Sequence, residues 1–142
     1  MQKYIHEIKH FPELFEKIAF EMEKFWASYT AIMFELKNDS KLDEFEKFLL
    51  KYIRISDTVF SYSSSKVLVI LEETTLRWAF ILDEKLREKI KEKWFKYDFY
   101  SAAIQGDFID NEEKLIKSLK KRLKKAREEN SNECIHSLSS AD

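Results

Sequence analysis

Between residues 13 and 27, apolar side chains at Leu14, Phe15, Ile18, Phe20, Met22, Phe25 and Trp26 recur at intervals near three and four, with Glu and Lys between them. That period predicts an amphipathic helix, and Pro12 suits its first turn, where a missing N–H is tolerated. Tyr29 to Leu36, "YTAIMFEL", is continuously apolar and predicts a buried strand. A polar break at 37–40 precedes a second helix over 41–53, with Leu42, Phe45, Phe48, Leu49, Tyr52 and Ile53 on one side. Thr58 to Tyr62 and Val67 to Glu72 read as a hairpin. Thr74-Thr75 offers an N-cap for a helix reaching about Lys93, followed by a strand region over 94–105, a turn, and a last helix over 112–129.

The order α-β-α-β-β-α-β-α contains a β-α-β-β-α-β core. This predicts an α/β (α+β) fold of the ferredoxin-like or palm type, with a mainly antiparallel sheet and helices packed on it. Three parts are expected: a helical lead-in over 1–10, one domain over 11–130, and a disordered tail or linker over 131–142. With 142 residues, 44% of them hydrophobic, the chain fills one core of ordinary size.

Charge narrows the partners. Lys+Arg number 25 and Asp+Glu 26, so no whole-molecule field argues for DNA or an acidic membrane. The longest apolar runs are too short to cross a bilayer, and no secretory signal is recognisable at the N-terminus; a cytoplasmic location is expected. The last helix is locally basic, from Lys117 to Arg127, and reads as the solvated face of an amphipathic helix rather than an RNA or lipid surface.

The single glycine, Gly106, excludes phosphate loops and dinucleotide fingerprints, which need several glycines for close backbone approach. The single cysteine, Cys134, excludes an internal disulfide and multi-cysteine metal sites. His6 to His10, "HEIKH", fits the zinc pattern H-E-x-x-H. Pro12 ends the segment and a third ligand is wanting, so zinc is not expected there.

One stretch carries a stronger message. "RISDTVFSYSSSKVLVILEETTL", from Arg54 to Leu76, resembles the diguanylate cyclase (GGDEF) pattern R-x-x-D-x-x-x-R-Y-G-G-[DE]-E-F-x-[VIL]-[VIL]-L-x-x-T. In that register Ser61 replaces Arg, Tyr62 matches, Ser63 and Ser64 replace the glycines, Ser65 and Lys66 replace the acids, and Val67 replaces Phe. The helix segment "LKKRLKKAREEN" is similar to A-D-x-A-L-Y-x-A-K-x-x-G, with Leu123, Ala126 and Arg127 in matching places. "FYSAAIQGD" falls where the family has its S-x-G strand. In "FELKND", Glu35 stands for the first metal-binding Asp, Lys37 replaces the second acid, and the loop for guanine is largely missing.

The resemblance implies two Mg²⁺ ions held between the first strand and the turn acids. Hard cations need several oxygen ligands, and Lys66 inverts the charge there. The turn is thus read as a degenerate signature, the chain as no enzyme, and catalytic residues, metal and cofactor are expected to be absent. The R-x-x-D pair, Arg54 and Asp57, matches the family's inhibitory site, and the resemblance implies cyclic di-GMP there: an arginine fork suits guanine O6 and N7 or a phosphate, and a carboxylate accepts the guanine N–H groups. The same two residues also read as a helix-end arginine and a turn cap. Sequence therefore supports a regulatory GGDEF-like domain of bacterial signalling that binds cyclic di-GMP. The alternative is a structural module for a signalling protein partner or a homodimer; an active cyclase ranks third.

Overall fold

A computed structural model describes residues 3–25, 28–73, 76–92, 99–106, 111–129 and 134–135. The elements are β1 (Ile5–Glu7), α1 (Phe11–Phe25), β2 (Tyr29–Leu36), α2 (Leu42–Leu50), β3 (Thr58–Ser61), β4 (Lys66–Glu72), α3 (Leu76–Glu92), β5 (Phe99–Gln105), α4 (Glu112–Glu128) and β6 (Cys134–Ile135). One sheet runs in the order β1-β3-β4-β2-β5-β6. Its four inner strands each run antiparallel to their neighbours, and the two short outer strands pair parallel to β3 and β5. The unit β2-α2-β3-β4-α3-β5 is the expected ferredoxin-like, palm-type core.

Helices cover both faces, which explains why the inner strands read as unbroken apolar runs rather than alternating ones. On one side, Ile32, Phe34, Val67, Val69 and Phe99 of the sheet pack with Phe45 and Leu49 of α2 and with Leu82 and Leu86 of α3. On the other, Ala31, Met33, Phe60, Leu68 and Ile104 meet Phe11, Phe15 and Ile18 of α1 and Leu115, Leu119 and Leu123 of α4. An aromatic row crosses this second face: Phe60 meets Phe11, Phe11 meets Phe15, and Phe15 meets Tyr29, all edge-on with centroids 5.4, 5.8 and 6.1 Å apart. Tyr29 ends against Gly106, where a Cβ would lie 1.9 Å from Tyr29 Cζ. The lone glycine therefore makes room for a ring.

Buried polar groups are tied across elements. Asp83 of α3 accepts from Arg87 Nε (2.9 Å) and from Ser101 Oγ (2.7 Å), and Arg87 also donates to the Phe99 carbonyl. This network locks α3 onto β5, with the Arg87 guanidinium 4.1 Å from the Phe99 ring centroid.

Several expectations are corrected. The lead-in is not helical: Ile5–Glu7 forms an edge strand beside β3, followed by one 3-10 turn at Ile8–His10. Ile5 reaches the core on the α2 side, so tertiary pairing overrides the local pattern. α2 stops at Leu50 rather than 53, where Lys3 Nζ donates to the Leu50 and Ile53 carbonyls. Phe20 of α1 is 54% exposed rather than core. Within 131–142, expected to be tail, Cys134–Ile135 pairs with β5; the remainder, like Trp26, Trp94 and Phe95, lies outside the described residues.

Candidate functional site

The serine turn solves its geometry by length. β3 ends at Ser61 and β4 begins at Lys66, so the loop is four residues, Tyr62 to Ser65. Loops of that size are most often built around a type I turn, whose two central residues have negative φ. Among the described non-glycine residues only Glu73 has positive φ, at 51°. The Lys66 carbonyl accepts from the Tyr62 and Ser63 amides at 3.0 and 3.2 Å, and the Ser65 amide donates to Ser63 Oγ at 3.4 Å. The Ser65 carbonyl accepts from Leu36 N at 2.8 Å, which extends the β2–β4 ladder. Ser63 and Ser64 are exposed, while Val67 is wholly buried.

Lys66, expected in the turn, is instead the first residue of β4 and lies directly opposite Glu35. Its Nζ is 3.5 Å from Glu35 Oε1, and Arg127 Nη1 of α4 donates to the same oxygen. The Glu35 side chain is only 12% exposed. A carboxylate already paired with two cations offers a metal a net positive surrounding. Among the described residues no three His, Cys, Asp or Glu side chains come together as ligands. The groups present do not fit a pair of divalent cations. Lys37, in place of the second acid, sets its Nζ 4.6 Å from the Tyr100 ring centroid.

Arg54 and Asp57 lie in the loop between α2 and β3 and are joined. Arg54 Nη2 donates to Asp57 Oδ1 at 2.9 Å and Nε to Oδ2 at 3.3 Å. The Arg54 amide also donates to Oδ2 at 2.8 Å, and the Asp57 amide returns a bond to the Arg54 carbonyl at 3.0 Å. Nη2 further donates to the Glu72 carbonyl at the end of β4, and the guanidinium stands 5.5 Å from the Trp78 ring centroid. The Arg54 side chain is 41% exposed and that of Asp57 not at all. The two heads therefore do not share one exposed surface: Asp57 is an inward anchor, and Arg54 is the outward group. Within the described residues Arg54 Nη1 makes no hydrogen bond, so one donor pair of the fork remains open.

Sequence patterns did not point to Trp78 beside Arg54 or to the reach of Arg127 across to Glu35, because both are tertiary. Glu46 of α2 was also missed. It is buried, its Oε2 has no hydrogen-bond partner among the described residues, and burial pushes its carboxyl above the usual range, opposed by a hydrogen bond from Ser61 and reinforced by Asp43. The HEIKH histidines do not share an α-helical face. His6 is in β1 with its ring between Tyr4 and Phe60, and His10 closes the 3-10 turn. Burial, and then His10, lower the His6 pKa.

No family model and no curated protein matches the sequence. Solved structures match the fold closely. The active GGEEF domain of a diguanylate cyclase from Vibrio cholerae superposes with a TM-score of 0.75 at 16% identity, covering 96% of this chain and all of that one. The GGDEF domain of DgcB from Caulobacter crescentus, in complex with c-di-GMP, gives 0.73 at 8% identity, over 93% and 88% of the two chains. Diguanylate cyclase SiaD from Pseudomonas aeruginosa, bound to its activator SiaC, gives 0.76 at 10%, over 92% of this chain and 58% of that one. The chain has the GGDEF-domain fold. No helix among the described residues is long and apolar enough to cross a membrane.

These matches correct one expectation. The altered turn led to the reading that the chain is no enzyme. The same backbone frame carries an active GGEEF domain and a diguanylate cyclase, so that exclusion does not stand. Its physical weakness is that it rested on side-chain replacements, whereas the backbone fold that positions them matches over 92–96% of this chain.

Proposed function

We propose that the chain is a GGDEF-fold regulatory domain of bacterial signalling that binds cyclic di-GMP through Arg54. Asp57 acts as the positioning residue. The observation that carries this reading is the held arginine: its Nε and Nη2 are fixed by Asp57 and the Glu72 carbonyl, Nη1 is open within the described residues, and Trp78 lies beside it. A pre-oriented fork loses little freedom when it meets guanine or phosphate, and a neighbouring indole offers a stacking face for a planar base. The DgcB structure in complex with c-di-GMP supports a ligand of this chemistry for the fold.

Calorimetric titration of the full chain with cyclic di-GMP tests the proposal. Saturable heat is expected, weakened at least about tenfold, or about 1.4 kcal/mol, by Arg54→Ala. Because Asp57 is buried, Asp57→Ala lowers both affinity and melting temperature. A second reading, a structural interaction module without nucleotide, is favoured by the complete engagement of Asp57 inside the loop. Absence of saturable heat with folded wild-type protein selects it.

A further inference from the structure

Lys3 stands just before β1, and its Nζ donates to backbone carbonyls 47 and 50 residues away, at Leu50 (3.2 Å) and at Ile53. Leu50 ends α2, and a cation there answers both an orphan carbonyl and the helix dipole. Ile53 lies three residues past the helix, so capping does not account for the second bond. The Ile53 carbonyl and the Arg54 amide belong to one peptide group. Lys3 holds the oxygen of that group, and Asp57 Oδ2 accepts from its N–H at 2.8 Å. The same carboxylate accepts from Arg54 Nε and Nη2. Hydrogen bonds therefore run from the Lys3 ammonium, through one peptide plane and Asp57, to the guanidinium. β1 adds a second hold, because Ile5 pairs in parallel with Val59 of β3, the strand that follows Asp57. The N-terminal segment thus grips the chain on both sides of the loop over 51–57.

We propose that Lys3 is a positioning residue for Arg54: its ammonium fixes the Ile53–Arg54 peptide and, through it, the direction in which the arginine fork points. The inference rests on the reading of Arg54 as the group that meets cyclic di-GMP. A peptide unit is planar, so a carbonyl that turns carries its N–H with it. Release of the Ile53 carbonyl by Lys3 therefore pulls the Arg54 amide away from Asp57, the residue that holds the fork. Charge-assisted hydrogen bonds are the stronger kind, and bonds in series polarise one another, so loss at the lysine end loosens the arginine end. A loosened fork must be ordered again when a ligand arrives, and affinity falls by that cost.

Amide hydrogen exchange on the full chain, read by NMR, tests the placement without any ligand. Lys3→Met removes the charge and keeps a long apolar stem; Lys3→Arg keeps a cationic donor. In Lys3→Met the Arg54 and Asp57 amides are expected to exchange about tenfold faster relative to those of β2, which gauge global stability. Calorimetric affinity for cyclic di-GMP is expected to fall at least about threefold, and Lys3→Arg to restore both. Equal acceleration in the loop and in β2 would reduce Lys3 to a general stabiliser and overturn the proposal. So would unchanged exchange, selective loosening with undiminished affinity, or a Lys3→Arg variant that behaves like Lys3→Met. Wild type that binds no cyclic di-GMP would remove the nucleotide reading alone; exchange at Arg54 and the resonance of its Nε–H would then decide whether Lys3 places the arginine.

Discussion

Replacing Glu35 exposes how the centre beside the turn is held together. Lys66 Nζ lies 3.5 Å from its carboxylate, and Arg127 donates to the same oxygen. At that distance and an effective dielectric near 20, one pair is worth about 5 kcal/mol before desolvation is subtracted. Exposed pairs retain about 0.2–1 kcal/mol, and removing one partner of a buried pair costs about 3–5. Side-chain exposures of 12% for Glu35, 23% for Lys66 and 40% for Arg127 place the centre between these limits. Glu35→Gln leaves two cations without their shared counter-charge and is expected to destabilise by about 2–3 kcal/mol, or roughly 6–10 °C at this size. Lys66→Met leaves Arg127 on the carboxylate and costs about 1 kcal/mol. Urea denaturation of both single variants and the double variant gives the Glu35–Lys66 coupling, expected at about 1–2 kcal/mol. Because the carboxylate is already neutralised, the wild-type melting temperature should be the same in excess Mg²⁺ and in EDTA. A coupling below about 0.3 kcal/mol, within ordinary additivity, or a clear stabilisation by Mg²⁺, would refute the reasoning.

Two further outcomes follow from buried contacts. Gly106→Ala forces a methyl into the Tyr29 ring, 1.9 Å from Cζ, and should destabilise by at least about 2 kcal/mol, as overpacking does; Tyr29→Leu in the same chain should recover part of the loss, and unchanged urea midpoints would contradict the packing. The folded-state pKa of Glu46 is raised above 4.5 by burial, so between 4.5 and the raised value the folded protein holds a proton that the unfolded chain has released, and stability falls as pH rises through that window. Glu46→Gln should therefore stabilise at neutral pH, with the advantage shrinking as pH falls toward 4.5; thermal melts across that range check it, and a Gln variant less stable than wild type at pH 7 would be inconsistent with an unpaired Oε2.

The long apolar runs carried most of the fold. β2 falls on Tyr29–Leu36 as its unbroken run predicts, and β3, β4, α3 and α4 agree within a residue or two, because a strand buried on both faces and a helix with one apolar stripe leave few other solutions. β1 escaped notice since three residues with one core side chain, Ile5, have no period, and their pairing with β3 is set by an edge 54 residues away in register, Ile5 opposite Val59. The R-x-x-D spacing reads Arg54 as a helix-end residue and Asp57 as a turn cap, whereas α2 ends at Leu50 and both residues lie in the loop before β3. It could not reveal that the carboxylate turns inward, since that depends on the Arg54 amide and the β4 exit at Glu72. Lys66 was legible as a charge change, but its partnership with Glu35 needed the β2–β4 register, and that with Arg127 needed the placement of α4.

The most direct test of ligand binding at Arg54 is a titration of nitrogen-15-labelled protein with cyclic di-GMP, followed at the Arg54 Nε–H, the Trp78 indole N–H and the backbone amides of 54–57. The account predicts saturating shifts at Arg54 and Trp78, lost in Arg54→Ala, with the Tyr62–Ser65 turn little affected. Saturating shifts confined to that turn, or none anywhere, would contradict it.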